Sequence, residues 1–337
     1  MSSPVLALTQ GDPAGIGPEI LLKLVQEDDS PASWRPILVA ERAALEALRT
    51  VLPAFPWDRL DYRSAAPGRD ALAAAGDAIL VLDPVAAARQ VSPGHSGPAD
   101  AAGAMAALDA GVELVRSGIA DALVTAPVSK VSIARQHLPG FVGHTEYLAA
   151  GCGLETYGRD YLMAFLAPDL QVALLSTHLP LSRALEHVRR DTVLEALKCL
   201  GRNVRGKIAV AGLNPHAGED GLLGTEDAEH LVPAVAEARS RGLDVYGPVS
   251  ADSLFAMARR GTYDWVLALY HDQGLIAVKT ACFGRATNWT LGLPYLRTSV
   301  DHGTAFDLAG RGIADPRPLE AVVHTTLRML SGELPRH

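Results

Sequence analysis

The apolar residues of the chain fall into short runs that alternate with longer stretches of helical periodicity. Short apolar runs bounded by glycine, proline or polar residues are typical of buried strands, and strands that alternate with helices favour a parallel sheet covered on both faces. The pattern predicts strands at 5–9, 37–40, 78–83, 120–125, 161–166, 172–176, 207–213, 264–270 and 275–279, and helices at 18–25, 41–52, 98–117, 182–200, 226–241 and 318–330.

The organisation of the chain favours two α/β domains. A length of 337 residues is long for one core. The strands at 161–166 and 172–176 flank Pro168 and Asp169, so we expect a hairpin there. No long linker separates the two halves, which indicates closely joined lobes with a cleft between them.

Composition narrows the function classes. The formal net charge is -8, which argues against a nucleic-acid partner because phosphate binding needs a basic face. The apolar stretch 161–176 is short and interrupted, so we expect no membrane span. The 3 cysteines form no CxxC pair, and the first residues, 1–4, lack a basic signal-peptide region. We therefore expect a cytoplasmic protein.

Three histidines each follow an apolar run that we predict as a buried strand. In an open α/β sheet the carboxyl ends of strands line the ligand crevice, so these imidazoles are expected to meet there. Three neutral imidazoles would form a divalent-metal site with room for a water or a substrate oxygen. The chain has 11 histidines, so three unrelated ones are the alternative. The residues are His178, His216 and His271.

Two further groups favour an anion. His144 and Thr145 stand at a predicted helix start, where free backbone N–H groups attract negative charge, although Thr145 could simply cap the helix. A stretch poor in acidic residues carries three cations and an amide, which favours a phosphate or carboxylate pocket over scattered surface charges. These are Lys279, Arg285, Asn288 and Arg297.

The glycine-rich segment 11–17 joins a predicted strand to a predicted helix. It matches neither the G-x-G-x-x-G pattern of Rossmann proteins nor the ending of a P-loop. A tight turn that needs glycine for positive φ is therefore favoured over a phosphate-binding loop.

The segment 301–316 resembles the adenosine loop of isopropylmalate dehydrogenases, H-G-[ST]-A-P-D-I-A-G-K-G-I-A-N-P, which bind NAD without a Rossmann fold. Phe306 and Asp315 depart from that loop. The resemblance implies that Asp307 accepts hydrogen bonds from ribose hydroxyls, and a carboxylate there favours NAD over NADP because it would repel a 2′-phosphate. The implied cofactor-binding residues are His302, Gly303, Thr304, Ala305, Asp307 and Asp315.

The chain also carries six longer motifs: GDPAGIGPE at 11–19, GHTE at 143–146, THLPL at 177–181, LNPHAGE at 213–219, YHDQGL at 270–275 and LGLPYLRTSVDHGTA at 291–305. These motifs resemble the PdxA family of 4-hydroxythreonine-4-phosphate dehydrogenases. The resemblance is collinear, spans nearly the whole chain and implies a two-domain fold like that of isopropylmalate dehydrogenase, with mostly parallel sheets and helices on both faces. It also implies a homodimer whose active site lies at the domain and subunit interface.

The resemblance also assigns residues and domains. The first domain is expected at 1–130 plus 303–337, and the second, with the metal ligands and the dimer interface, at 131–302. The implied ligands of one divalent ion (zinc, magnesium or cobalt) are His178, His216 and His271. The implied substrate-binding residues are His144, Thr145, Lys279, Asn288 and Arg297.

The implied reaction is oxidation of 4-phosphohydroxy-L-threonine at C3 by NAD, with NADP as a possible substitute, followed by decarboxylation to 3-amino-2-oxopropyl phosphate in vitamin B6 biosynthesis. Asp252, Asp272 and Lys130 are candidates for the base or for supporting roles, and Asp252 could instead cap a helix near Ser253. Ala126 and Ser129 replace the Gly and His of many family members.

Three alternatives stay open at this point. The same chemistry could act on 4-phospho-D-threonate or 4-phospho-D-erythronate. An acyl or phosphate transferase of the same fold is a different class, because fold does not fix function. A non-catalytic binding protein would keep the architecture and lose the chemistry.

Overall fold

The computed structural model describes residues 3–27, 33–74 and 76–334. Its strands are β1 Val5–Thr9, β2 Arg35–Val39, β3 Leu60–Arg63, β4 Ile79–Leu82, β5 Ala122–Thr125, β6 Leu162–Ala167, β7 Leu170–Leu174, β8 Ile208–Ala211, β9 Val245–Val249, β10 Trp265–Ala268, β11 Thr287–Leu291 and β12 Leu296–Ser299.

The helices alternate with these strands along the chain. They are α1 Gly17–Glu27, α2 Arg42–Glu46, α3 Arg69–Ala74, α4 Pro98–Arg116, α5 Lys130–Gln136, α6 His144–Gly151, α7 Leu181–His187, α8 Arg190–Asn203, α9 Val232–Ser240, α10 Ala251–Arg259, α11 His271–Cys282 and α12 Arg317–Ser331. Shorter turns of other helical types lie at Trp57–Arg59, Pro215–Gly221 and Asp227–Leu231.

The chain divides into two compact units, one of residues 1–147 with 295–330 and one of residues 148–294 with 331–337. The sequence instead predicts domain limits at 130/131 and 302/303. Each unit has its own core of buried apolar side chains.

The first unit is built on a parallel sheet in the order β3-β4-β2-β1-β5-β12. Leu6, Leu8 and Leu38 are fully buried, as the apolar runs predict for strands covered on both faces. Helix α4 packs closely on this sheet, because a Cβ at Gly111 would come within 2.8 Å of the side chains of Thr9 and Leu123.

The second unit has a mixed sheet in the order β11-β6-β7-β10-β8-β9. The β6–β7 hairpin and the β11–β6 pair are antiparallel, while β7, β10, β8 and β9 are parallel. The predicted hairpin and the α/β class are therefore confirmed. Three parallel strands, β7, β10 and β8, end at the same edge and lead into His178, His271 and His216.

The predicted strand at 275–279 is wrong, since those residues lie within α11. Leu275, Val278 and Cys282 are buried while Ile276 is exposed, which is a helical spacing that a short apolar window hides. The helix also packs tightly, because a Cβ at Gly274 would lie 2.7 Å from the Leu174 side chain.

Other predicted boundaries also shift. The helix predicted at 182–200 is interrupted between α7 and α8, and the one predicted at 41–52 forms a helix only as α2. Strands β3, β9, β11 and β12 were not predicted, since their burial is partial or their apolar residues are interspersed with polar ones. No helix in the described residues is both long and apolar enough to cross a membrane.

The turn from β1 into α1 explains the glycines of the segment 11–17. Gly11 has φ +67, and a Cβ at Gly17 would lie 1.8 Å from the carbonyl oxygen of Gln10. The buried carboxylate of Asp12 accepts hydrogen bonds from the backbone N–H of Ala14 and the hydroxyl of Ser96. The glycines thus allow close backbone approach within a tight turn.

We expect Gly17→Ala to lower the free energy of unfolding by about 3 kcal/mol or more, because its methyl group would meet a backbone oxygen that cannot move independently. The measurement is the midpoint of urea unfolding followed by circular dichroism. Gly151→Ala is the control: nothing lies within 4 Å of its Cβ position, so it should be neutral or stabilise by up to about 1 kcal/mol. Equal effects of the two changes would contradict the packing argument.

Candidate active site

Two of the three predicted metal ligands are neighbours in the second unit. The rings of His178, beyond β7, and His271, at the start of α11, have centroids 5.3 Å apart and planes inclined by 41°. The Nδ1 atom of His271 lies 2.7 Å from a carboxylate oxygen of Asp272. A carboxylate at Nδ1 favours the tautomer whose Nε2 lone pair is available to a metal, which is the usual supporting arrangement for a ligating histidine.

The third histidine lies on an unusual turn. His216, Ala217, Glu219 and Asp220 all have positive φ, between 43 and 53, within the segment Pro215–Gly221. A left-handed conformation costs roughly 1–2 kcal/mol for each residue that carries a Cβ. Strain of this kind persists where the surroundings impose it, and it is concentrated at functional sites.

Asp252 lies near this turn, at the start of α10. A hydrogen bond from the Ser250 hydroxyl, 2.7 Å away, lowers the pKa of Asp252 below its usual value, with a smaller contribution from His216. The carboxylate is therefore ionised at neutral pH. The hydrogen bond from Ser250 also gives Asp252 a structural role at the start of α10.

The potential donors fit a divalent ion only in part. Within residues 3–27, 33–74 and 76–334 no group of three or more His, Cys, Asp or Glu side chains is close enough to hold a metal. The adjacent imidazoles of His178 and His271 fit two ligands of such a site. The imidazole of His216 does not complete it within one chain.

A cationic cluster lies in the first unit. Arg297, on β12, is only 2% exposed, and its Nη2 donates to the Thr125 hydroxyl at 2.7 Å. Burial lowers the pKa of Arg297 to about 10, against smaller opposing effects of Tyr295 and Glu146. The guanidinium therefore stays charged at neutral pH.

His144 and Thr145 begin α6 in the same cluster, and Thr145 is buried. Burial, followed by the charges of Arg297 and Lys130, holds the pKa of His144 well below its usual range. The imidazole is thus neutral at pH 7. The Nζ of Lys130 lies 3.3 Å from the Cβ position of Gly143, directly before this helix.

Lys279 and Asn288 belong to the second unit. Lys279 is partly buried in the last turn of α11, and Asn288 is partly buried in β11, paired in register with Phe165. The side-chain oxygen of Asn288 is buried and accepts no hydrogen bond. An unsatisfied buried acceptor of this kind needs a donor, which a ligand or water can supply. Arg285, by contrast, is exposed.

The predicted adenosine loop packs on the glycine-rich turn of the first unit. The backbone N–H of Ile16 donates to the Thr304 carbonyl at 3.0 Å, and Ala305 has φ 43. His302 Nδ1 lies 3.0 Å from the Gly303 carbonyl oxygen. Asp307 is exposed, so its carboxylate is accessible.

Asp315 has a structural role at the start of α12. Its carboxylate accepts the backbone N–H of Arg317 at 3.0 Å and pairs with the Arg317 guanidinium at 2.6 Å. These contacts explain why an acidic residue suits this position. The resemblance implies that Asp315 binds the cofactor, but its carboxylate is already bonded to Arg317.

Sequence reasoning missed an ion-pair network that holds segment 84–97 beside this loop. Arg89 donates to both oxygens of the buried Glu41 and, at 2.8 Å, to Asp100. The only sequence signal is a lone arginine in a loop. The same segment contacts the adenosine loop, since a Cβ at Gly310 would lie 2.4 Å from Pro93.

The fold and these clusters define an α/β protein with mostly parallel sheets and chemically active side chains at strand ends, the arrangement of many small-molecule enzymes. The profile of a family described as pyridoxal phosphate biosynthetic protein PdxA matches residues 32–326. The chain therefore belongs to the PdxA family, as its motifs predict.

Named relatives and a crystal structure are similar to this chain over nearly its full length. A 4-hydroxythreonine-4-phosphate dehydrogenase of Burkholderia vietnamiensis is 41% identical, with 96% of each chain covered. A putative D-threonate 4-phosphate dehydrogenase of Symbiobacterium thermophilum is 39% identical, with 95% of each covered. A crystal structure of 4-hydroxythreonine-4-phosphate dehydrogenase from Klebsiella pneumoniae superposes with a TM-score of 0.84 at 32% identity, covering 97% of this chain and 99% of that one.

The depressed pKa of His144 predicts acid lability. The unfolded chain gains a proton on this residue near pH 6.5 while the folded protein does not, so stability is lost as the pH falls below that value, by up to about 1.4 kcal/mol per pH unit. We expect His144→Gln to show a smaller loss of urea-unfolding midpoint between pH 7.5 and 5.5 than the wild type. Replacement of the exposed His137 by Gln is the control, and an identical loss in all three proteins would refute the prediction.

Proposed function

We propose that the protein is an NAD-dependent dehydrogenase that oxidises 4-phosphohydroxy-L-threonine at C3, with decarboxylation to 3-amino-2-oxopropyl phosphate. Membership of the PdxA family and the names of the relatives support this assignment. The structural observation that carries it is the buried, charged Arg297 beside His144 and Thr145. The product would serve pyridoxal phosphate biosynthesis.

The cluster around Arg297 is suited to a phosphate or carboxylate. A buried guanidinium has lost the solvation of water, so an anionic ligand at its planar fork regains much of that energy through bidentate hydrogen bonds. The neutral imidazole of His144 and the hydroxyl of Thr145 add hydrogen bonds without further positive charge. Lys279 and Asn288, in the second unit, are the other proposed substrate-binding residues, and the buried side-chain oxygen of Asn288 accepts no hydrogen bond.

His178, His216 and His271 are the proposed holders of one divalent ion. When bound, such an ion would supply Lewis-acid polarisation of the substrate oxygen. Asp272 would hold the His271 ring in its ligating orientation through Nδ1. Asp252 and Lys130 remain the candidates for the base that takes the hydroxyl proton.

A homodimer would account for two features of the second unit. His216 does not join the other imidazoles within one chain, so we propose that a second copy takes part in assembling the site. Large apolar side chains are also exposed along the segments that follow His178 and His271, and exposed apolar patches mark interfaces. They are Leu179, Leu181, Leu185, Ile276 and Phe283, with exposed fractions of 42%, 57%, 42%, 66% and 82%.

The proposed dinucleotide site is the loop 302–307 with its accessible Asp307. A carboxylate there would accept hydrogen bonds from the ribose hydroxyls of NAD and repel the 2′-phosphate of NADP. Asp315 is assigned to the start of α12 instead. Ala305 needs its left-handed φ to shape the loop, which is consistent with backbone contacts to a ligand.

The relative named for D-threonate 4-phosphate supports one alternative, the same chemistry on 4-phospho-D-threonate. Ser129 caps α5 by accepting the N–H of Ser132, where many family members carry histidine. This change alters the surroundings of Lys130 and could shift the preferred C2 substituent. 4-Phospho-D-erythronate is a further candidate substrate for the same chemistry. Membership of the PdxA family gives no support to the transferase alternative.

The direct test is NADH formation, followed at 340 nm, with each phosphorylated substrate in turn. We expect the highest kcat/KM with 4-phosphohydroxy-L-threonine, loss of turnover after chelation, and recovery with zinc, magnesium or cobalt because a Lewis acid is needed. A higher kcat/KM with 4-phospho-D-threonate would select the alternative. Full activity of the metal-free protein would refute the metal role.

We expect Arg297→Ala to raise KM for the phosphorylated substrate by about two orders of magnitude, since loss of one partner leaves the other charge desolvated. Arg297→Lys should have an intermediate effect because it keeps the charge and loses the planar fork. Steady-state kinetics give both values. The exposed Arg260, changed to Ala, is the control, and an unchanged KM in Arg297→Ala would remove Arg297 from the site.

A further inference from the structure

A buried ion pair on α1 contacts the predicted adenosine loop, 301–316, within the first unit. Glu19 and Lys23 lie one turn apart on this helix, and the Lys23 Nζ is 2.9 Å from the Glu19 carboxylate. The Glu19 side chain is fully buried, and that of Lys23 is only 14% exposed. Charged groups buried to this degree need hydrogen-bond partners beyond one another.

The adenosine loop supplies those partners through its backbone. The Glu19 carboxylate accepts the N–H of Gly312 at 3.2 Å and that of Ala314 at 2.7 Å. The Lys23 Nζ donates to the carbonyls of the same two residues, at 2.9 Å and 2.7 Å. The pair therefore binds both backbone polar groups of Gly312 and of Ala314, and these four hydrogen bonds fix the second half of the loop against α1.

The first half of the loop is held by the same part of the chain. The backbone N–H of Ile16 donates to the Thr304 carbonyl at 3.0 Å. Ile16 and Glu19 both belong to the glycine-rich motif at 11–19, so one turn and one helix start hold the loop at both ends. Asp307 lies between the two attachments.

The part of the loop between and beside these attachments fits an adenosine ligand. Asp307 is exposed. Apart from the chain neighbours of Gly303, no atom of the described residues lies within 4 Å of a Cβ at that position. A ligand can thus approach the backbone at Gly303 closely, while the Asp307 carboxylate accepts hydrogen bonds from ribose hydroxyls.

We propose that Glu19 and Lys23 are positioning residues for the adenosine half of NAD, which fix the loop in the conformation that presents Asp307. The inference rests on the dinucleotide site proposed above. A loop fixed before binding spends more of its time in the competent conformation, and the apparent Kd varies inversely with that fraction. The motif at 11–19 thus supports a cofactor-binding loop and does not itself bind phosphate.

The test uses Glu19→Gln and Lys23→Met in the full chain. The first replaces an acceptor oxygen with a donor that faces N–H groups, and the second removes the donor to two carbonyls. We expect the Kd for NADH, measured by the fluorescence of the bound nucleotide, to rise about 10-fold in each, because the binding conformation becomes less populated. The Kd for ADP-ribose, measured by competition with NADH, should rise equally, since ADP-ribose carries the adenosine half alone.

Steady-state kinetics distinguish positioning from general damage to the protein. The KM for NAD should rise together with the Kd. The kcat at saturating NAD and the KM for the phosphorylated substrate should change less than about twofold, because neither depends on the population of the free loop once NAD is bound.

A second ion pair in the same unit provides matched controls. Arg69 donates to the Gly118 carbonyl at 2.8 Å and to the carboxylate of Asp121, which accepts the backbone N–H of Val5 at 2.8 Å. This pair lies where β1 begins, whereas the adenosine loop contacts the segment that follows the end of β1. Asp121→Asn and Arg69→Met should leave the Kd values for NADH and ADP-ribose at those of the wild type.

The outcomes separate this inference from the proposed function. If the wild type binds neither NADH nor ADP-ribose, the dinucleotide site fails and the inference fails with it. Unchanged Kd values in both variants overturn the inference alone, even where the urea-unfolding midpoint is lower, and so does an equal rise in the controls. If Glu19→Gln does not fold, Lys23→Met decides, because it leaves the two backbone hydrogen bonds to Glu19 in place.

Discussion

Parallel strands that end at one edge of a sheet impose the main constraint on this protein. Strands β7, β10 and β8 are adjacent in that order, so the backbone that follows β10 begins about 5 Å from the end of each of the other two strands. Hydrogen bonds from Ser176 and Gln273 to the strand ends maintain that proximity. His178 and His271 meet for this reason, although 93 residues separate them in the chain.

Burial and charge determine the protonation states in the cluster around Arg297. Arg297 keeps its charge although it is buried, and that charge helps to keep His144 neutral. The cluster thus combines the charges of Arg297 and Lys130 with the neutral imidazole of His144. Burial is the main cause of both pKa shifts. It disfavours the charged form of each side chain, and it strengthens the repulsion between Arg297 and a protonated His144.

Sequence patterns predicted the local structure well where burial was complete and less well elsewhere. Fully buried runs such as β1, β5 and β10 were predicted because both faces are covered and few polar residues interrupt them. The segment 275–279 was assigned to a strand because five residues are too few to distinguish a helical period from a continuous apolar run. Strands β11 and β12 are not predicted because polar side chains, Asn288 and Arg297 among them, interrupt their apolar residues.

The sequence by itself determined the α/β class, the family and the residues able to bind a metal or an anion, since these depend on residue type, spacing and motif. Only the tertiary structure decided which of them meet: His178 lies against His271, whereas His216 lies on a separate turn with left-handed backbone. It also showed Asp315 bound to Arg317 and revealed Gln273 and Arg89. Apart from the local Asp315–Arg317 pair, these contacts join residues distant in the chain, and their geometry depends on strand order and packing, which local patterns do not encode.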